Sequence, residues 1–427
     1  MQKYTKEDIF NLVEEEDVEF IRLQFTDLFG NLKNIAITAG QLEKALQNRI
    51  YFSPASIDGY VSGEEDILFL HPDLSTFVIF PWRPQQGKVA RMICDVYRQD
   101  GTPYEGDTRY ILKKTMEKAA GEGYTFDVRT ECEFFLFQTD ENGLPTTLTY
   151  EQAGYFDLAP IDMGENARRD IVMTLEQMGF EIEASHHEDA PAQHEIDFMN
   201  DEALAAADNM ITFKLAVKSI AKTHGLHATF MPKPRQGVSG SGMNIKMSLK
   251  KNGRSIFEPV NESGELGQEA IWFIGGLLKH VKGMAPITNP LVNSYKRLVP
   301  GYEAPVQISY GTKNRNVMIY LPRINGEEAR LEFRSPDSAA NPYLTLALCL
   351  QAGLKGIEEH TVPETDQKEE MPDNLFEAIR CMETDSFVLK VLGESVSKRY
   401  IELKKAEWNR YREQVSRWEI NEYLYRF

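Results

Sequence analysis

From Glu183 to Phe198 the chain reads EASHHEDAPAQHEIDF, which sets Glu183, Glu188, Asp189, Glu195 and Asp197 around His186, His187 and His194. A solvated acidic loop is normally rich in Lys, Ser and Gly. Here Ala, Ile, Phe and Pro accompany the acids, so the carboxylates are expected to face a folded interior. Crowded there, they repel one another and resist ionisation unless a cation joins them. Mg2+ or Mn2+ is the cation best matched to several hard oxygen donors. Taken alone the stretch reads equally as a solvated acidic loop, and the rest of the chain decides between the two.

At 427 residues, with 42% hydrophobic side chains, the chain has material for two or three domains with full cores. No apolar run approaches the roughly 20 residues that span a bilayer. The N-terminal MQKYTKEDIF has no signal-peptide pattern, so a cytoplasmic protein with no membrane partner is expected. A formal charge of −18 argues against nucleic acid as a partner. Cys94, Cys132, Cys349 and Cys381 show no CxxC spacing, which argues against a disulfide framework or a zinc site.

Residues Asp17 to Phe25 alternate in polarity, and the turn at Gly30-Asn31 followed by Leu32 to Ile37 predicts a hairpin. Strands are expected at Thr76–Phe80 and Val89–Val96, and Asp100-Gly101-Thr102-Pro103 marks a domain boundary. The expected division is a small β-rich domain over 1–103 and a larger domain over 104–427. In the second, helical spacing appears at Asp107–Ala120, Arg168–Met178 and Asp201–His224, a strand at Thr130–Phe137, and a helix-rich tail from Asn374. The fold class is α+β with a large sheet.

On a strand, Glu131 and Glu133 share one face while Cys132, Phe134 and Leu136 take the other. Two same-face carboxylates on so apolar a strand are costly unless a cation or an arginine lies between them; an exposed sheet face is the plain alternative. Arg330, Glu332 and Arg334 repeat the device, either as a cross-strand salt-bridge row or as holders of a metal and of anionic substrate groups. Further cations lie in Asn293–Glu303 and Lys313–Arg315. The loop Gly237–Gly242 is a weak anion-binding signal and reads more simply as a turn. After it, Asn244, Lys246 and Ser248 share a strand face. The residues thus describe an acidic enzyme with a carboxylate-bound pair of divalent metals and an arginine-rich anion site, a pattern suited to phosphoryl transfer.

The motifs HPDLSTFVIFPW, ECEFFLF, GYFDLAP, EIEASHHEDAPAQHEIDF, HATFMPKP, NPLVNSYKRLVPGYEAP and RLEFRSPDSAANPYL resemble those of type I glutamine synthetase in its short form, over nearly the whole chain. The resemblance implies an N-terminal β-grasp domain and a C-terminal catalytic domain with a curved sheet. It also implies a homododecamer of two stacked hexameric rings, with each site shared between neighbouring subunits. Glu131, Glu188 and Glu195 match ligands of a first metal, and Glu133 and Glu332 two ligands of a second. Arg297 and Arg334 match arginines that grip glutamate, with Gly240 in its binding loop, and Glu303 matches a flap that closes the site. Arg315 and Arg330 match phosphate-facing arginines, and Glu183 and Ser248 match ATP contacts. The implied activity in nitrogen metabolism joins the glutamate γ-carboxylate to ammonia or an amine at the expense of ATP.

Four positions depart from the family pattern. Asn244 replaces a metal-binding His, Tyr320 a phosphate-facing Arg, Ser53 an Asp that binds and deprotonates ammonium, and Ser62 an Arg linked to feedback inhibition. The segment after Glu359 is also shorter. Two readings follow: a γ-glutamyl–amine ligase with an altered amine step and a weakened second metal site, or a catalytically impaired paralogue that binds ligands or partners. A carboxylate both attracts ammonium and accepts its proton, whereas Ser53 does neither. Activity with ammonium at pH 7 is therefore expected to be low. Ser53→Asp improves it in part, because Pro54 still restricts the loop, and Ser53→Asp with Pro54→Gly improves it further. Steady-state kinetics with ammonium decide the point, and wild-type turnover at neutral pH equal to that of an ordinary glutamine synthetase contradicts it.

Overall fold

The computed structural model describes residues 4–60, 67–262, 264–322, 326, 329–364 and 369–427. Ser62 and residues 365–368 of the shortened segment lie outside the described residues.

The N-terminal sheet comprises β1 (Val18–Thr26), β2 (Leu32–Thr38), β3 (Ile50–Phe52), β4 (Leu68–Pro72), β5 (Val78–Ile79) and β6 (Lys88–Tyr97). The strand order is β2-β1-β6-β4-β3, with β5 also on β6. The expected hairpin is present: β1 and β2 pair antiparallel from Phe20↔Thr38 to Thr26↔Leu32, and Gly30 turns the chain at φ +81°. Its β1 strand then pairs parallel with β6. Thr76–Phe80 is not one strand. Thr76 Oγ1 donates to the Asp73 carbonyl at 2.7 Å and accepts from the Ile93 N–H at 2.8 Å. Those bonds hold Leu74–Thr76 in a 3-10 turn and leave only Val78–Ile79 to join the sheet.

The C-terminal sheet is built from β7 (Tyr124–Gln138), β8 (Ile182–His187), β9 (Gln193–Phe198), β10 (Asp201–Glu202), β11 (Leu226–Thr229), β12 (Met243–Lys251), β13 (Arg254–Ser255), β14 (Tyr310–Gly311), β15 (Ile319–Tyr320) and β16 (Leu331–Phe333). Its order is β14-β15-β16-β12-β7-β9-β8, and β7 extends well beyond the expected Thr130–Phe137. One face is largely apolar: Phe126, Val128, Cys132 and Phe134 of β7 and Met243, Ile245, Met247 and Leu249 of β12 are buried in one core, with Thr130 buried on the same face. Helices Ala203–Thr223, Gln268–Thr288 and Pro342–Glu359 contribute to that core. The last two cross so closely that a Cβ on Gly276 would lie 2.0 Å from the Ala352 carbonyl oxygen. Asn374 caps the first helix of the expected helical tail. Among the described residues no helix is long and apolar enough to cross a membrane.

A buried guanidinium ties the two sheets together. Arg109 donates to Asp208 at 2.9 and 2.7 Å, to Asp95 at 2.5 Å and to Asp73 at 2.8 Å, while Asp208 also accepts from the Tyr343 hydroxyl at 2.6 Å. Asp73 and Asp95 belong to the N-terminal region and Asp208 to the helix Ala203–Thr223. Removing the guanidinium leaves the buried Asp208 with only the Tyr343 hydroxyl and no cation, so Arg109→Met is expected to destabilise the fold by about 3–5 kcal/mol. Urea unfolding measures this, and Asp208→Asn added to Arg109→Met recovers part of the loss.

Candidate active site

The other face of the same sheet is charged, and cross-strand register assembles it. Asn244 of β12 lies opposite Glu131 of β7, which lies opposite Asp197 of β9. On one side of this rung Glu133 faces Glu195, which faces His186. On the other, Glu332 of β16 faces Lys246, which faces Arg129. The pairs expected to share a face, Glu131 with Glu133 and Asn244 with Lys246 and Ser248, do so because their neighbours occupy the core.

This face floors a cavity of about 860 Å3 whose walls include Glu131, Glu133, Glu188, Glu195, Asn244 and Glu332, all six of the expected metal ligands. Arg315, Arg334 and Glu303 close its sides, and a small recess joins Gly240 to Arg297, Arg334 and Glu303. Glu303 is held in the left-handed region at φ +54°, a strained conformation for a non-glycine residue.

The glycine loop is shaped by close approach. A Cβ on Gly240 would lie 2.2 Å from the Pro232 carbonyl oxygen, and one on Gly242 would lie 2.6 Å from Arg297 Nη2. The Gly242 N–H and Gln193 Nε2 donate to Glu133 at 2.8 and 2.9 Å, fixing that carboxylate. Arg297 is buried and donates to the Ser335 carbonyl at 2.9 Å. Arg334 donates to the Arg315 carbonyl at 2.6 Å, and its Nε lies 3.5 Å from Glu332. Arg315 rests 5.7 Å from the Tyr320 ring centroid.

The carboxylates here are hard to ionise. Burial, and then the neighbouring Glu133, push Glu188 up to about 8. Burial with Glu133 and Asp197 raises Glu195 well above the usual range. Burial also raises Glu133, against the pull of Arg297. Lys246 makes an ion pair with Glu131, and burial lowers its ammonium to about 8. Asp197 Oδ1 and Glu332 Oε1 are buried without a hydrogen-bond partner among the described residues. Donor atoms of Glu131, Glu195 and Asp197 lie within 4.8 Å of one another, as do those of His186, Glu188 and Glu195. A hard, oxygen-rich donor set with orphaned buried oxygens fits a divalent cation.

Sequence reasoning assigned no role to Asp197, His186, Arg129 or Lys246. Asp197 and His186 each stand two residues from an expected ligand, which was the available signal. Glu183 and Ser248 do not line the cavity: Glu183 pairs with Arg129 at 2.7 and 2.6 Å, and the Ser248 hydroxyl donates to the Ala329 carbonyl at 3.4 Å. Arg330, half-buried just before β16, is also off the cavity wall. Ser53 begins a 3-10 turn, Pro54–Ser56, in the N-terminal region and does not line the cavity of its own chain. Beneath the site, His187 bridges the Glu188 carbonyl at 2.6 Å and Glu151 at 2.7 Å. Arg168 there donates to Asp162 at 2.6 Å and meets His194 Nδ1 at 2.8 Å. A guanidinium already balances that second acidic cluster.

Residues 17–99 match the family model described as the glutamine synthetase β-grasp domain, and residues 105–423 match the glutamine synthetase catalytic domain. The chain is 56% identical over 443 positions to a glutamine synthetase of Clostridium saccharobutylicum, covering 100% of both. It is 50% identical over 439 positions to a glutamine synthetase of Staphylococcus aureus (strain Mu50), covering 99% of this chain and 98% of that one. Among solved structures, a chain of a GmaS–ADP complex matches with a TM-score of 0.89 at 32% identity, over 98% of this chain and 99% of that one. Plasmodium falciparum glutamine synthetase matches with a TM-score of 0.89 at 25% identity, over 99% of both.

Because burial and neighbouring acids raise Glu188 and Glu195, a cation entering the cavity is expected to displace protons. With Glu188 raised to about 8, Mn2+ affinity is expected to fall as pH drops below 8 and to level off above it. Calorimetry in buffers of different ionisation enthalpy should register proton release on Mn2+ binding, and a pH-independent affinity between 6 and 8.5 contradicts the reading (roughly one proton lost per raised group).

Proposed function

The chain belongs to the glutamine synthetase family, and on that premise we propose that it is an ATP-dependent ligase joining the γ-carboxylate of glutamate to ammonia or an organic amine. The observation that carries this reading is the cavity lined by six potential metal ligands and Arg334, continuous through Glu133, Glu188, Asn244 and Arg334 with a recess that holds Gly240 and Arg297. Whole-chain identity of 56% to a glutamine synthetase does not favour the impaired-paralogue alternative.

Glutamate's γ-carboxylate takes the terminal phosphoryl group of ATP, giving ADP and γ-glutamyl phosphate. The neutral amine then attacks the acyl carbon, and phosphate leaves. Arg297 and Arg334 bind carboxylates by paired, charge-assisted hydrogen bonds, and the backbone of Gly240 lies against the same recess. The resemblance gives Arg315 and Arg330 to the phosphates and Glu183 and Ser248 to the nucleotide, although of these four only Arg315 lines the cavity; Glu303 closes the site over the intermediate, excluding water. Glu131, Glu188 and Glu195 would hold one divalent cation, and Glu133, Glu332 and Asn244 a second. Mg2+ or Mn2+ bound there supplies charge neutralisation for the phosphates. Asn244 offers a neutral, weakly donating amide oxygen where an imidazole is usual, so the second site is the weaker.

The division into a 1–103 β-grasp domain and a 104–427 catalytic domain, a cytoplasmic location, and assembly into two stacked hexameric rings belong to the same reading. A neighbouring subunit would bring its Ser53 loop to the cavity.

Glutamate-dependent ADP release with Mg2+ or Mn2+, measured across ammonium and a panel of amines, tests the activity; a folded protein with no turnover on any amine overturns it. Mn2+ titration should resolve two classes of site. Asn244→His is expected to tighten the weaker by about tenfold, equivalent to about 1.4 kcal/mol, and two equally tight sites in the unmodified protein contradict the assignment.

A further inference from the structure

One buried amide joins the acids of the cavity to the glycine loop. Gln193 is 1% exposed, and its Nε2 donates both to Glu133 Oε2 at 2.9 Å and to the Gly240 carbonyl at 3.1 Å. We propose that Gln193 is a positioning residue that sets Glu133 for a cation and Gly240 for glutamate at the same time. This rests on the ligase activity proposed above.

The neighbours of the amide fix which way it points. Its Oε1 accepts from the Ala190 N–H at 3.1 Å, whereas the Gly240 carbonyl on the other side can only accept. Turning the amide over would set donor against donor at Ala190 and acceptor against acceptor at Gly240. The Gly242 N–H also donates to Glu133 Oε2, at 2.8 Å. With two donors on Oε2, Oε1 is the oxygen that Glu133 presents to a cation.

Gln193 opens β9 and closes the turn that carries Glu188. Its backbone N–H donates to the Ala190 carbonyl at 2.9 Å, and its own carbonyl accepts from the Glu188 N–H at 2.8 Å. A second clasp between turn and glycine loop lies close by, where Ser239 Oγ donates to Asp189 Oδ2 at 2.6 Å. Beneath both, Phe135, Phe137, Ala190 and Ala192 form a small buried cluster, and Val238 of the glycine loop packs on it. Turn and loop thus share one support. Gln193 is the member of it that reaches both Glu133 and Gly240, and it lines the recess with Arg297 and Arg334.

The test uses the full-length assembled protein. Gln193→Met keeps the side chain's length and removes both donations. It should weaken the lower-affinity class of Mn2+ site by about tenfold, measured by calorimetry. Glutamate should bind about tenfold more weakly, both by calorimetry and as KM, while kcat at saturating glutamate and metal stays within about threefold. The KM for ATP should stay within about twofold. Gln193→Glu keeps the shape and the bond from Ala190, but an acid has at most one O–H and cannot serve both Glu133 and Gly240. It repeats the measurement should the methionine variant fail to fold, and at least one of the two affinities should fall. A lower melting temperature with both affinities unchanged overturns the proposal, because Gln193 then only packs. So does a change in one affinity without the other in Gln193→Met, because the amide then does not link them. Absence of ADP release in the wild-type protein defeats the proposed activity instead, and the calorimetric Mn2+ and glutamate affinities still decide the role of Gln193.

Discussion

Side chains alternate along a strand, and on β7 and β12 that alternation sets a largely apolar face against one carrying Arg129, Glu131 and Glu133 on β7 and Asn244 and Lys246 on β12. Phe126, Val128, Cys132 and Phe134 enter the core, while Arg129, Glu131 and Glu133 cannot follow them. The segregation is what permits acids to be crowded at all. Repulsion among Glu133, Glu188, Glu195 and Asp197 opposes folding, and burial on the opposite face, at about 25 cal/mol for each square ångström of apolar surface, offsets it. A strand with mixed faces would expose one set or bury the other unpaired.

The same economy of charge recurs between the sheets. Buried Arg109 balances Asp73, Asp95 and Asp208, and each acid is placed by a different part of the chain. In the cavity the balance is deliberately incomplete. Lys246 offsets Glu131, and Arg334 and Arg315 lie 3.5 and 3.9 Å from Glu332, yet Glu188 and Glu195 have only a neutral imidazole beside them. The unbalanced part of the molecule is the part proposed to hold cations.

Features that depend on neighbours in sequence were legible in it. The Gly30 hairpin, the shared face of Glu131 and Glu133, and the alternation of Met243 to Leu249 are all properties of consecutive residues. Contacts fixed by register were not. Nothing local announces that Lys246 meets Glu131, that Asp197 lies opposite it, or that Arg109 reaches Asp208 across 99 positions. Helices Gln268–Thr288 and Pro342–Glu359 went unread for a different reason: apolar side chains surround most of each, so no amphipathic period marks them. Thr5 and Asp8 form a capping box ahead of helix Lys6–Glu15, a local signal that was present and not used. The six residues that the family motifs propose as ligands line one cavity, while Glu183, Ser248 and Arg330 lie off its wall.

The rungs also act as a ruler. Adjacent strands lie about 4.8 Å apart whatever side chains they carry, because backbone hydrogen bonds set that spacing. Glu131, Glu133, Glu195, Asn244 and Glu332 all stand on such strands, so their spacing is fixed before any ion arrives. Glu188 does not: it lies in the turn between β8 and β9, where the chain reverses through Ala192 at φ +68°. In the proposed six-ligand set, Glu188 is therefore the donor not tied to strand spacing, and that turn is where the set would adjust to a larger or smaller ion.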